Sequence, residues 1–135
     1  MSNKPTVFSS VMKAKIVIAL ALMVTTNFAY ATCSLSDIKI MSMKAKFIKR
    51  FSSPDLFYMQ GVAVLENRCD LAVGVQLQIT GYEKSGSPVV TNEFWPASIR
   101  NIPPGSYTFS LNQSLQYEPS ITHFDIKIID VKKWR

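Results

Sequence analysis

Few residues in this chain have the chemistry that catalysis needs. His123 is the only histidine, so a serine or cysteine triad would have to use it as its base. It falls in a predicted strand, on the parity opposite to the apolar residues, which indicates a surface position. Two carboxylate pairs, Glu66 with Asp70 and Asp125 with Asp130, gain no support from their spacing as a glycosidase pair. We therefore expect a protein that is not an enzyme.

The two cysteines indicate a structural role and no metal or redox site. Cys33 and Cys69 form no Cys-x-x-Cys motif, and a single histidine leaves too few ligands for zinc. No glycine-rich phosphate loop precedes a helix, and we expect neither a metal nor a cofactor. An even cysteine count in a small exported domain predicts a disulfide. It would close a loop of 69 − 33 = 36 residues, a constraint of about 3–4 kcal/mol in the chain-entropy model.

The large aromatic residues are better candidates for a functional site. Tyr82, Phe94, Trp95 and Trp134 fall mostly at predicted strand ends or beside turns. Aromatic side chains in such places form hot spots for a protein partner or stacking platforms for a glycan. The alternative is that Trp95 and one tyrosine complete the core. Trp134 lies in the basic, aromatic segment 132–135, so its burial would require docking against the domain or a partner.

The first 31 residues have the organisation of a secretory signal peptide. Lys13 and Lys15 precede a nine-residue apolar run, 16–24, and the segment ends in Ala29-Tyr30-Ala31. These are a basic region, an apolar region and an Ala-x-Ala cleavage site. The apolar run is much shorter than the roughly 20 residues of a spanning helix. We expect a cleaved signal peptide at 1–31, one domain at 32–135, no stable membrane span after cleavage, and a periplasmic or secreted location.

The charge of the expected mature chain is modest. The full chain has a formal net charge of +6, and removal of Lys4, Lys13 and Lys15 leaves 12 basic against 9 acidic residues, or +3. A balance of this size does not predict binding to nucleic acid. Lys44, Lys46 and Arg50 alternate with apolar residues. They indicate either a basic patch for an anionic partner or a solvated face that discourages edge-to-edge pairing, and we favour the solvated face.

The sequence predicts strands that would position the candidate aromatic and charged side chains. Val73, Val75, Leu77 and Ile79 alternate with small or polar residues, which predicts a central strand, and Glu83–Ser87 has the residues of a hairpin turn. Further strands are predicted at 35–51, 57–66, 88–95, 106–112 and 121–131, with a bulge near Ile40–Met41 where the apolar parity changes. The pattern predicts an all-β protein: an antiparallel immunoglobulin-like β-sandwich of six or seven strands, with a small barrel as the alternative. The expected core comprises Val73, Val75, Leu77, Ile79, Tyr107, Phe109, Leu111, Phe124, Ile126 and Ile128.

About half of the expected mature chain, Gly61 to Leu111, resembles a known family. The matching pieces are Gly61, Asn67, the alternating aliphatic residues of 73–79, Tyr82-Glu83, Gly86 and Pro104-Gly105. This pattern is similar to the FxLYD-type domain and its relatives, small immunoglobulin-like modules of exported bacterial proteins. The resemblance implies that fold and a general role in extracytoplasmic binding or assembly, with no catalytic residues.

The sequence leads to a hypothesis of function with two alternatives. We expect a non-enzymatic exported β-sandwich that binds a protein partner, as an accessory or assembly factor or as a component of an envelope or secreted complex. The first alternative is a periplasmic inhibitor or immunity protein that inserts a loop, Pro54-Asp55 or 113–119, into an enzyme. The second is a carbohydrate-binding module that uses Trp95 and Tyr82.

Overall fold

The computed structural model describes residues Thr32–Arg135, and the predicted signal peptide lies outside the described residues. A single-turn 3-10 helix, Leu35–Asp37, is followed by six strands: β1 (Ile38–Arg50), β2 (Ser53–Asn67), β3 (Gly74–Glu83), β4 (Pro88–Phe94), β5 (Gly105–Ser110) and β6 (Ile121–Lys132). They form two antiparallel three-stranded sheets with the orders β1-β2-β5 and β4-β3-β6. The predicted all-β, sandwich-like architecture is confirmed, with six strands. Within Thr32–Arg135, no helix has the length and apolar composition of a membrane span.

Alternate residues of the two central strands build the core. Val75, Leu77 and Ile79 of β3 are fully buried, as their spacing predicts. Met59, Ala63 and Leu65 of β2 are their buried counterparts in the other sheet. Phe109, Leu111 and Ile126 are buried as expected, whereas Tyr107, Phe124 and Ile128 are partly buried and pack at the margin of the core. Three connecting residues complete the core, and the strand pattern did not predict them: Ala97, Ile102 and Leu115.

The predicted bulge in β1 is confirmed, and it explains the change of parity. The pairing with β2 shifts between Ile40 and Ser42, so Met41 is the extra residue. The bulge lets Ile38 and Ile40 on one side of it, and Met43 on the other, contact the same core. Met41 itself is exposed, although its parity had grouped it with the inward residues.

The β1–β2 hairpin is longer than the sequence predicts. Its turn is Phe51-Ser52, and β2 begins at Ser53, four residues before the predicted start of this strand at 57. Arg50 pairs with Ser53, so Pro54-Asp55, a predicted inhibitory loop, lies inside β2. Gly61 permits a close approach of the two strands, because a Cβ there would collide with the Lys44 carbonyl oxygen and lie 2.9 Å from the Ala45 Cβ.

The connection from β2 to β3 is fixed by a disulfide and a buried amide. Cys33 and Cys69 form the predicted disulfide, with their Cα atoms 5.6 Å apart, which ties the segment before β1 to this connection. The Asn67 amide is buried and donates from Nδ2 to the carbonyl oxygens of Leu71 (3.1 Å) and Ile102 (3.0 Å). Its Oδ1 accepts from the Cys69 backbone N–H at 2.9 Å. Asn67 therefore joins the end of β2 to the connection that precedes β5.

Candidate functional site

The candidate site lies on the outward face of the β4-β3-β6 sheet, at the end where β3 begins. Val73 and Val75 point into the core, so Gly74 between them belongs to the outward face. Gly74 pairs with Lys132 of β6. Only a residue without a side chain leaves the space above this position open.

Trp134 fills the space above Gly74. A Cβ added at Gly74 would collide with Trp134 Nε1 and lie 2.5 Å from Cδ1, so the indole rests directly on the glycine. Asn101 holds the Trp134 backbone with two hydrogen bonds. Its Nδ2 donates to the Trp134 carbonyl oxygen at 2.9 Å, and its Oδ1 accepts from the Trp134 N–H at 2.8 Å. The segment after β6 is therefore docked on its own domain.

Trp95 and Trp134 form a pair on this face. Their ring centroids are 5.1 Å apart and their planes make an angle of 66°, an edge-to-face contact. The Lys132 Nζ lies 3.7 Å from the Trp134 ring centroid and 5.6 Å from that of Trp95, within the range of cation–π attraction. Both indoles are half-buried and neither belongs to the buried core or its margin. The alternative in which Trp95 completes the core is thus wrong.

The pair has one polar group without a partner. Trp134 Nε1 is buried, and among the described residues it has no hydrogen-bond acceptor. An unsatisfied buried N–H costs about 1–3 kcal/mol.

The structure separates the other two predicted aromatic residues from the tryptophan pair. Phe94 is half-buried and packs against the core, with its ring centroid 6.2 Å from that of Phe109. Tyr82 lies at the far end of β3, eight residues from Gly74, which is about 27 Å along a strand. There its ring stacks on His123, with centroids 5.1 Å apart and planes at 11°. Trp95 and Tyr82 therefore cannot form one stacking platform.

The groups examined for chemistry are engaged in structural contacts. The exposed His123 accepts or donates one hydrogen bond with the Thr122 hydroxyl, Nδ1 to Oγ1 at 3.1 Å, besides its stacking on Tyr82. Asp37 lies near the disulfide sulfurs, but sulfurs bonded to each other are not thiolates that hold a metal. The backbone N–H and the hydroxyl of Ser34 donate to Asp37 Oδ2 at 2.9 and 3.0 Å, and these bonds lower the pKa of that carboxyl below its ordinary value.

Sequence reasoning missed two residues that position the pair, Gly74 and Asn101, whereas Lys132 belongs to the segment 132–135 that the sequence had indicated. The signal for Gly74 was its place in the predicted strand, where it alternates with the inward residues Val73 and Val75 and therefore lies on the outward face. Asn101 had no local signal, because its two hydrogen bonds reach 33 residues along the chain.

Comparison with known proteins adds no family to this description. No family model matches the chain, and no curated protein or solved structure shows significant similarity to it. The resemblance to the FxLYD-type domain stays a prediction.

Proposed function

We propose that this chain is a non-enzymatic exported protein whose β-sandwich binds a protein partner through the Trp95–Trp134 pair. It acts as an accessory or assembly factor, or as a component of an envelope or secreted complex. Residues 1–31 direct export and are cleaved, which leaves the domain in the periplasm or outside the cell. The disulfide Cys33–Cys69 supports an oxidising compartment.

One observation carries the proposal. The domain has two tryptophans, and both lie side by side on the outward face of a sheet, outside the core. Tryptophan is among the residues most enriched in interface hot spots, because one rigid side chain supplies a large contact area at small entropic cost. The Asn101 hydrogen bonds and the seat on Gly74 fix this surface before a partner arrives. A fixed contact surface loses less entropy on binding than a flexible one.

The same geometry favours a protein over a glycan. A sugar ring stacks on an accessible, flat aromatic face, whereas Lys132 occupies one face of Trp134 and Gly74 backs the indole. The angle of 66° between the two rings also prevents a continuous platform. An inhibitory loop at 113–119 finds little support either, because Leu115 is buried and Tyr117 stacks on Phe57 with centroids 4.4 Å apart.

The fold we propose is the immunoglobulin-like one. In such sandwiches the second strand pairs with the first and the fifth, and the third pairs with its hairpin neighbour and the penultimate strand. The order β1-β2-β5 follows this scheme, and β3 pairs with its hairpin neighbour β4. Its other partner, β6, is the last strand of the described residues, so it would correspond to that penultimate strand in a sandwich with one strand fewer. The turn glycines of the FxLYD-type resemblance, Gly86 and Gly105, adopt the positive φ angles of 91° and 106° that favour glycine.

The experiment is affinity capture from envelope and culture-supernatant extracts with the exported wild-type protein and two variants. Trp95→Ala removes half of the pair, and Tyr82→Ala removes an aromatic ring from the opposite end of the same sheet. We expect a stoichiometric protein that the wild type and Tyr82→Ala retain and that Trp95→Ala loses. Retention of glycan or peptidoglycan in place of a protein would refute the proposal in favour of sugar binding. Equal capture by all three proteins would show that the pair is not the binding surface.

A further inference from the structure

A second surface, on the other sheet, has the chemistry of a membrane contact. Its starting point is an uneven distribution of charge. Five of the 12 cations of the described residues lie in β1, Lys39, Lys44, Lys46, Lys49 and Arg50, and β1 contains no acid. The remaining part of Thr32–Arg135 has seven cations and nine acids. The modest net charge of +3 thus divides into +5 on one strand and −2 elsewhere.

Three of these cations, Lys39, Lys44 and Lys46, lie between core-facing residues of β1 and therefore share the outward face of the β1-β2-β5 sheet with apolar side chains. Lys44 pairs with Val62. Because the neighbouring Ala63 points into the core, Val62 points outward, and it is 44% exposed. Lys46 lies two pairs further along, opposite Gln60, and β5 contributes the small, uncharged Ser110 on the same face. A groove of about 650 Å³ runs between these residues. The strand β2 contributes two acids to this hairpin, Glu66, which forms an ion pair with Arg68 at 3.4 Å, and the exposed Asp55 near the turn.

The end of the same hairpin is an apolar projection. The pairing of β2 with β5 covers only Val62–Asn67, so the hairpin beyond Met59 extends past the third strand. Phe51 at the turn is completely exposed, and Leu56 is 53% exposed. Lys49 and Arg50 immediately precede Phe51. A single exposed phenylalanine next to two cations protrudes from the fold and contributes nothing to the core.

We propose that the β1–β2 hairpin docks on the surface of an anionic phospholipid bilayer. The lysines of the outward face and the Lys49-Arg50 pair contact lipid phosphates, and Phe51 enters the interface below the head groups. A bilayer fits this surface better than an acidic protein does. The bilayer surface presents negative charge along the whole 13-residue strand β1, with the apolar acyl chains directly below the head groups. The protruding turn at Phe51 can therefore insert without a matching pocket. The outward face of the other sheet, where Asp125, Lys127 and Asp130 alternate, lacks this separation of charge.

The test is co-sedimentation of the exported, processed protein with lipid vesicles. One set contains equimolar phosphatidylglycerol and phosphatidylcholine, the other phosphatidylcholine alone, and a tube without vesicles controls for self-association. The variants are Lys44→Gln/Lys46→Gln and Phe51→Ser. Their matched controls are Lys84→Gln/Lys127→Gln, which removes the same charge elsewhere, and Ile99→Ser, which removes another exposed apolar side chain.

We expect binding to the anionic vesicles only, and its loss at high salt. Each cation near a bilayer contributes about a fivefold gain in affinity, so Lys44→Gln/Lys46→Gln lowers binding about 25-fold. Phe51→Ser lowers it about tenfold, whereas both controls bind within about twofold of the wild type. Equal binding to both vesicle types, or an equal loss in Lys84→Gln/Lys127→Gln, would overturn the proposal. The proposal would also be overturned if the protein bound polyglutamate as tightly as it binds the anionic vesicles and Phe51→Ser did not weaken either interaction. That result would indicate an acidic macromolecule as the ligand.

Discussion

Replacement of the buried Asn67 by alanine is the sharpest test of how the two sheets are held together. The amide makes three hydrogen bonds, to the carbonyl oxygens of Leu71 and Ile102 and from the Cys69 N–H, and its side chain is 2% exposed. A net contribution of about 1 kcal/mol for each bond gives a loss of about 3 kcal/mol. The Ile102 carbonyl oxygen keeps its bond from the Val73 N–H, which limits the additional desolvation cost there.

The assay is urea unfolding of the oxidised protein at neutral pH. With a slope of about 1.5 kcal/mol per molar, Asn67→Ala lowers the midpoint by about 2 M and leaves the slope unchanged. Asn92→Ala is the matched control, because Asn92 is exposed and its amide makes one hydrogen bond, to the Ser114 carbonyl oxygen at 2.8 Å. We expect this control to lose at most about 1 kcal/mol. If the two variants had the same midpoint, the assignment of Asn67 as a buried hub would be refuted.

Three further predictions concern the disulfide, the seat of Trp134 on Gly74, and the hydrogen bonds from Ser34 to Asp37. Replacement of Cys33 and Cys69 by serine lowers the free energy of unfolding by about 3–4 kcal/mol because the unfolded chain regains loop entropy; equal urea midpoints for oxidised and serine forms would contradict this. Gly74→Ala places a methyl group against the Trp134 ring, so we expect the indole to leave, a red-shifted tryptophan emission and a loss of about 1–3 kcal/mol; an unchanged spectrum would argue against the seat. The pKa of Asp37 is lowered in the folded state, so its stabilisation is present above the unfolded pKa of about 4 and is lost as pH falls through the folded value. The difference in stability between wild type and Asp37→Asn should therefore shrink in acid, and a difference that is independent of pH would refute a stabilising role of the Ser34–Asp37 hydrogen bonds.

The sequence predicts the parts of this fold that follow from the two-residue repeat of a strand. Val75, Leu77 and Ile79 are buried because alternation leaves only one face for them. The bulge in β1 was also predictable, since a change of parity within a strand requires an extra residue. Which residue is extra depends on the partner strand, so the sequence places the bulge near Ile40–Met41 and does not show that Met41 is the exposed extra residue.

The candidate site was only partly predictable, for a physical reason. Trp134 was identified as a residue whose burial would require docking, and Trp95 as either a binding aromatic or a part of the core. Their contact depends on Gly74 and Asn101, which lie far away along the chain. Local patterns carry no information about such long-range contacts. The pairing of Tyr82 with Trp95 failed for the same reason, because both are strand-end aromatics but at opposite ends of one sheet.

The extent of the β1–β2 hairpin illustrates another limit. Pro54 and two serines indicate a turn, yet β2 starts at Ser53 and continues for 15 residues. The strand gains its pairing from β1 alone at this end, and the sequence does not show where the third strand stops. The exposed Phe51 at the turn and the apolar residue Leu56 are consequences of this overhang.

The measurement that tests the central claim most directly is the affinity of the purified captured partner for three forms of the domain. Isothermal titration calorimetry should give a dissociation constant that rises at least about 30-fold in Trp95→Ala, the loss expected of a hot-spot residue. Tyr82→Ala should bind within about twofold of the wild type, with both variants folded by circular dichroism. If Trp95→Ala kept the wild-type affinity, the tryptophan pair would be a structural feature of the sheet and the proposed binding surface would be wrong.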